Sequence, residues 1–208
     1  LGGNPGARIV DVLSGEVLQS LAGEEDQFRA SCWSPDDQRI ATGGATKTIY
    51  TWNVATGENE QTLEDGHSGD IEAIRWIESG KKLLTLSKYE LCTWHMASGK
   101  LLSQKKLPEP CASFGSHHEI SPDARYRGSL GYSTSRVWSV TNDALIRTYL
   151  ALNGQRHAII SPEGNFCTTS DLGNELRYVA QTDEGQVTLS GRQFTGQFSW
   201  TNNPEGVE

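Results

Sequence analysis

The adjacent pair His117-His118 stands just ahead of Ser121 and Asp123, the three residue types of a Ser-His-Asp hydrolase. In such a site the imidazole takes the hydroxyl proton and the carboxylate orients the ring. The surrounding pattern points elsewhere. Ser121-Pro122-Asp123 recurs as Ser34-Pro35-Asp36 and Ser161-Pro162-Glu163, where no histidine pair accompanies it. Proline presets φ for a tight turn and the flanking polar side chains bond locally, so the motif reads as a hairpin turn. No G-x-S-x-G elbow is present. Neighbouring strand residues point to opposite faces, so His117 and His118 cannot share one metal without a bend. His67 reads as a structural hydrogen-bonding residue, and His95 and His157 as ordinary strand residues. The clusters Gly2-Gly3-Asn4-Pro5-Gly6 and Gly43-Gly44 match no phosphate loop and open no helix. The expectation is a non-enzymatic chain with no catalytic residue, metal or cofactor.

These residues ride on a repeat. Val10, Trp52, Trp94, Trp138 and Tyr178 are the centres of five similar short segments, spaced by 42, 42, 44 and 40 residues. A turn follows the first four at nearly constant offset: Ser14-Gly15, Thr56-Gly57, Ser98-Gly99 and Asn142-Asp143. The Ser-Pro turns keep the same period, with Glu78-Ser79-Gly80 in the remaining slot. Between the markers lie short stretches of alternating or β-branched residues bounded by Gly, Pro, Asn or Ser, which is a strand pattern. No helical periodicity of three or more turns appears in residues 7 to 180. The fold class is all-β, and four short strands in roughly 40 to 45 residues make one propeller blade.

The repeat resembles the WD repeat. Gly66-His67-Ser68-Gly69-Asp70-Ile71 followed by Trp94 matches that family's glycine-histidine start and tryptophan end. Ile40-Ala41-Thr42-Gly43 through Thr48-Ile49-Tyr50-Thr51-Trp52-Asn53 matches its second and third strands. The resemblance implies a buried set of His, Ser or Thr, Asp and Trp within a blade. His67, Thr85 and Trp94 supply three members, while Ser87 to Glu90 offers no aspartate for the fourth. Trp52 with Thr42 lacks both His and Asp. The resemblance therefore implies blades resting more on apolar contact than on that network, with the Tyr178 repeat as the poorest match.

Applied to the whole chain, the layout places propeller blades over residues 1–189. It gives a partial blade at 7–21 and blades at about 27–63, 71–105, 111–150 and 157–189. That is about four and a half units, an incomplete ring on its own, and a bare two-stranded ribbon leaves a pairing edge exposed. The missing blades are expected from an upstream segment, a second chain or a second copy. Residues 190–208 break the repeat. Ser190 with Gln193 reads as a capping box opening a short helix, with Phe194 and Phe198 on one face. Tyr178-Val179-Ala180-Gln181, this aromatic segment and Trp200-Thr-Asn-Asn-Pro204 are similar to the tail of some bacterial multi-repeat WD proteins, so the chain is expected to be the C-terminal portion of one.

Trp52, Trp94, Trp138 and Tyr178 sit on the structural beat, with His67 and Thr85 beside them. Trp33 and Trp76 end inner strands beside hairpin turns, where packing between blades is the favoured reading and a rim that anchors partners the other. Glu24, Glu25 and Asp26 form an acidic run on the face where the family often binds partners, which suits a basic peptide. The net charge of −8 and pI near 5.2 argue against nucleic-acid backbone binding. No apolar run reaches the roughly 20 residues of a membrane span. Cys32, Cys92, Cys111 and Cys167 are scattered without a C-x-x-C, which suits reduced thiols in the cytoplasm. The expected function is a scaffold binding a protein or peptide. The alternative is the regulatory or sensing propeller of a larger bacterial enzyme whose catalytic domain lies upstream.

Overall fold

The computed structural model describes residues 6–21, 28–107, 117–130, 134–152, 156–162, 165–168, 177–182, 185–190, 193 and 202–207. They divide into two units, Leu1–Gly131 with Trp138–Asp143, and Tyr132–Val137 with Ala144–Glu208.

In the first unit, β1 (Ala7–Val10) and β2 (Val17–Leu21) form a two-stranded antiparallel sheet. Next come β3 (Phe28–Trp33), β4 (Arg39–Gly44), β5 (Ile49–Asn53) and β6 (Asn59–Leu63), which pair in chain order as one four-stranded antiparallel sheet. The same arrangement repeats in β7 (Ile71–Ile77), β8 (Lys82–Ser87), β9 (Glu90–His95) and β10 (Lys100–Lys106). Then β11 (His117–Ile120) pairs with β12 (Tyr126–Leu130). Each four-stranded meander is a propeller blade.

Apolar clusters lie between consecutive sheets. Ile9, Leu21, Ile40 and Trp52 join the first sheet to the second. Ala41, Ile49, Leu63, Ile71, Ile74, Leu83, Trp94 and Met96 are among those joining the second to the third. Ala73, Leu84, Leu86, Leu91 and Ile120 carry the contact on to β11. The second strand of each blade is covered on both faces, so β4 and β8 are buried over nearly their full length. Alternation gives way to continuous small or apolar residues there, as in any doubly covered strand. Each fully buried Ile or Leu contributes roughly 1.5–3 kcal/mol, which makes these seams the main source of stability.

Polar ties recur across the same seams. Gln19 Nε2 donates to the Ala55 carbonyl at 2.8 Å, and Gln61 Nε2 to the Met96 carbonyl at 2.7 Å. Lys105 takes the next turn, reaching the Thr141 carbonyl at 3.2 Å and the Asp143 carboxylate at 2.7 Å. Each runs from the outer strand of one sheet to the turn before the outer strand of the next.

The second unit departs from the expected blade at 157–189. Here β14 (Leu145–Leu152), which follows β13 (Thr134–Ser139), pairs directly with β15 (Arg156–Ile160), and β15 with β16 (Phe166–Thr168). β17 (Arg177–Thr182) and β18 (Gly185–Ser190) pair with each other as a separate two-stranded sheet. The physical reason is local. Leu152 pairs with Arg156, so only three residues separate the two strands and the long outer strand turns straight back on itself. Ser190 pairs with Arg177 as the last residue of β18, and Gln193, three residues on, is helical. Phe194 and Phe198 lie outside the described residues. The tail is fastened by Asn202, whose side chain accepts from Phe166 N at 2.7 Å and donates to the Phe166 carbonyl at 2.9 Å. A short 3-10 turn, Pro204–Val207, follows.

Candidate functional site

The most concentrated polar chemistry in the first unit is buried inside the blade formed by β7 to β10. Thr85, in mid-β8, is fully enclosed. Its Oγ1 accepts from Trp94 Nε1 at 2.9 Å and faces His67 Nε2 at 2.8 Å. The other ring nitrogen, Nδ1, faces Glu90 Oε2 at 3.9 Å. The carboxylate charge on the Nδ1 side favours the His67 proton on Nδ1, which leaves Nε2 to accept from the Thr85 hydroxyl. Glu90 supplies the acid that the sequence reading found missing. A glutamate at the start of β9 reaches the place that an aspartate in the preceding turn would fill, because its side chain is one methylene longer. It is anchored by the Ser87 and Ser68 hydroxyls at 2.7 and 2.5 Å and by the Ser68 amide at 3.3 Å. The missed signal was the short turn Ser87-Lys88-Tyr89 before Glu90.

The electrostatics follow from burial. Desolvation pulls the His67 pKa from 6.5 to about 4, and the Glu90 charge offsets only part of this. Desolvation pushes the Glu90 carboxyl upward, but hydrogen bonds from Ser68 and Ser87 overcome it and leave the pKa below its ordinary value. Cys92, whose thiol donates to the Gly66 carbonyl at 2.8 Å, is pushed up to about 12 by burial and by Glu90. It is therefore a poor nucleophile. Cys32, Cys92 and Cys167 are free thiols, and Cys111 lies outside the described residues.

The other blades solve the same problem with less. In the sheet β3 to β6, Trp52 Nε1 donates to Thr42 Oγ1 at 2.8 Å with no imidazole behind it. Beside β12, the buried Arg127 guanidinium lies 4.5 Å from the Trp138 ring centroid, with Asp143 at 3.7 Å. Trp52 and Trp94 are core residues, whereas Trp138 is half-buried. The side chain of Tyr178 lies outside the described residues. The difference between blades is testable. Thr42→Val removes one hydrogen bond and is expected to cost about 1 kcal/mol; Thr85→Val strands both the indole N–H and His67 and is expected to cost about 2 kcal/mol. Urea denaturation of the two variants gives the comparison.

Of the His-Ser-Asp candidates, His118, Ser121 and Asp123 are committed to other contacts, and the side chain of His117 lies outside the described residues. His118 is buried with Nε2 3.1 Å from Glu72 Oε2. Ser121 Oγ donates to Asp123 Oδ1 at 2.6 Å and accepts from Tyr126 N at 3.0 Å, which is turn chemistry. The same bonds hold the turn at Ser34, with Asp36 and Arg39 as partners. Beside His118, Arg75 donates to the Ile120 carbonyl at 2.9 Å and lies 3.9 Å from Glu119, tying β7 to β11. Among the described residues no group of three His, Cys, Asp or Glu side chains could hold a metal ion.

The two rim tryptophans part company. Trp76 is only 5% exposed, which fits packing between blades and not a place on a binding rim. Its indole donates to the Cys32 carbonyl at 3.0 Å and the Arg39 guanidinium lies 4.9 Å from its ring centroid, so it fills the seam between two sheets. Trp33 is 47% exposed at the end of β3. At the opposite end of the strands, Tyr89 is exposed with the Lys88 ammonium 5.4 Å from its ring, and Arg29 pairs with Asp70 at 2.6 Å. Glu24, Glu25 and Asp26 lie outside the described residues.

The chain is similar to several known proteins. Residues 15–53, which take in β2 to β5, match the family described as "WD domain, G-beta repeat". Angio-associated migratory cell protein of Homo sapiens is 24% identical over 177 residues, covering 81% of this chain and 38% of that protein. Pre-mRNA-processing factor 19 of Oryza sativa subsp. japonica is 30% identical over 173 residues, covering 80% of this chain and 32% of that protein. The chain thus spans well under half the length of either relative. The solved structure of U3-55K matches with a TM-score of 0.48 at 15% identity, over 83% of this chain and 63% of that one.

Proposed function

We propose that the chain is a non-enzymatic scaffold that binds a protein or peptide partner on a propeller rim, with Trp33 as an anchor. The observation that carries this reading is the contrast between the tryptophans. Trp52, Trp76 and Trp94 are spent on the core, while Trp33 is presented half-exposed from the end of a strand whose backbone is fixed by pairing with β4. An aromatic side chain held this way loses little entropy on binding and gives a large contact area. The polar groups of the blade are meanwhile committed to one another, and the Cys92 thiol is inert. A net charge of −8 suits a protein partner better than nucleic acid. No helix among the described residues is long and apolar enough to cross a membrane. We place the chain in the cytoplasm as part of the same proposal. A catalytic function elsewhere in a longer polypeptide is the second reading, favoured only by the chain's spanning a minor share of its relatives.

The test is selection of ligands from a displayed peptide library, followed by affinity measurement on wild type and Trp33→Ala. The expected result is at least tenfold weaker binding, about 1.4 kcal/mol, with an unchanged Tm. Ligands that bind the variant as tightly as wild type would remove Trp33 from the site.

A further inference from the structure

A strand at the end of a sheet presents backbone N–H and C=O groups that pair with another chain unless something blunts them. The outer strand β10 carries Lys100, Lys105 and Lys106, charges of the kind that keep a second strand away. Among the described residues β16 pairs with β15 alone and ends its sheet, yet Phe166, Cys167 and Thr168 bring no charge to that edge. Phenylalanine and threonine favour strands, so this edge needs a different guard.

The register shows which groups face outward. Ser161 N donates to the Asn165 carbonyl at 2.8 Å, so that carbonyl faces β15. Successive residues of a strand turn their N–H and C=O to opposite sides, so those of Phe166 face away from β15. One side chain takes both. Asn202 accepts from Phe166 N at 2.7 Å and donates to the Phe166 carbonyl at 2.9 Å. A carboxamide holds an acceptor oxygen and an NH2 donor side by side, the same two groups that a residue of a neighbouring strand presents. Asn203 N adds a bond to Asn165 Oδ1 at 3.0 Å, and the turn Pro204–Val207 rests against β16. Pro204 has no N–H to donate, so the segment makes this one rung and does not run on as a strand.

We propose that Asn202 guards the edge of β16: its carboxamide fills the outward rung at Phe166 and keeps β16 from pairing with β16 of a second copy. The register of the pairing it prevents is fixed. Phe166 and Thr168 face the same side, so two copies of the strand meet antiparallel about Cys167, with Phe166 of one opposite Thr168 of the other. The two Cys167 residues then stand directly opposite in a non-hydrogen-bonded pair, about 4.5 Å apart at Cα, within the span of a disulfide. Cys167 is a free and exposed thiol, so it reports on that pairing. The guard is separate from Trp33 and does not depend on the role proposed for it.

The probe is diamide, which takes one hydrogen from each of two thiols and leaves them joined as a disulfide, the linked peptides being identified by mass. In Asn202→Ala the rate of Cys167-to-Cys167 cross-linking is expected to rise roughly tenfold over wild type, since two hydrogen bonds that hold the edge are lost. Amide exchange at Phe166 is expected to speed up in dilute protein and to slow again as concentration rises. Adding Cys167→Ser is expected to abolish the cross-link. If Asn202→Ala loses its fold by circular dichroism, Asn202→Asp decides in its place. Its carboxylate still accepts from Phe166 N but has nothing to donate to the Phe166 carbonyl, and a rise of roughly threefold is expected. Equal cross-linking at Cys167 in wild type and the folded variant overturns the proposal. So does faster exchange at Phe166 at every concentration without the cross-link, which makes Asn202 an anchor for the tail and no guard.

Discussion

Gly66→Ala is expected to destabilise the first unit by about 3 kcal/mol, at the upper end of the range for overpacking a filled core. An added Cβ would stand 2.2 Å from Trp94 Cζ2 and 2.6 Å from Cη2. Neither side can retreat cheaply. The ring is held by the bond from Nε1 to Thr85, and the Gly66 carbonyl accepts from both Cys92 Sγ and Gln104 Nε2. Gly15→Ala is the control. Gly15 has φ of 73° but no atom within 4 Å of a new Cβ, so only left-handed strain of about 1 kcal/mol is expected. Urea unfolding of both variants measures the difference. In the double variant Gly66→Ala with Trp94→Phe, the phenyl ring frees the space of the indole's outer carbons, and the two losses are expected to be less than additive. Equal costs for the two alanine variants would show that the loop before β7 yields more easily than its hydrogen bonds imply.

The repeat was legible because its markers are chemically obligatory. A buried indole must donate its N–H, which ties Trp52 to Thr42 and Trp94 to Thr85 at nearly the same spacing, and a turn with positive φ favours glycine. Those constraints act within about ten residues and leave a period in the chain. What the period did not reveal was pairing order. Between β14 and β15 hairpin closure competes with the long-range period and prevails because it joins neighbouring strands over a short loop. The ties from Gln19 and Gln61 were also invisible, since glutamine on an exposed strand face carries no signal until the next sheet's carbonyl is in place.

The site was half legible. His67, Thr85 and Trp94 could be grouped from their order, but Glu90 was passed over because an aspartate in the turn was sought. Reach, not residue type, decides which carboxylate meets the imidazole. Trp33 and Trp76 have the same place in their strands and opposite fates. The seam beside β7 is closed by Arg39 and the Cys32 carbonyl, which enclose Trp76, while among the described residues no equivalent pair encloses Trp33. The sequence could not separate them, because the difference lies in the neighbouring sheet.

His67 gives the chain an acid-sensitive joint whose sign can be worked out. In the unfolded chain its pKa is near 6.5, and in the fold it is lowered to about 4 by burial. Between those values the unfolded chain binds a proton that the folded chain refuses, so stability falls as pH falls through that window. Above 6.5 the contribution is fully present, and below about 4 it is fully lost. A shift of this size is worth about 3 kcal/mol. Glu90 acts in the same direction at lower pH, because a carboxylate held below its ordinary pKa loses its stabilisation on protonation. His67→Gln keeps a polar side chain without the titration. At pH 7.5 it is expected to be less stable than wild type, having exchanged the Thr85 contact for a poorer one. As pH falls to 4.5 the gap is expected to narrow or reverse by about 2–3 kcal/mol, because only wild type pays for keeping the imidazole neutral. Urea midpoints of both proteins across that range measure it, with the other four histidines common to the two. A gap that stays constant with pH would mean that the His67 pKa is the same in the fold as in the unfolded chain, and a gap that widens in favour of wild type as pH falls would mean that His67 carries its proton in the fold as an ion pair with Glu90.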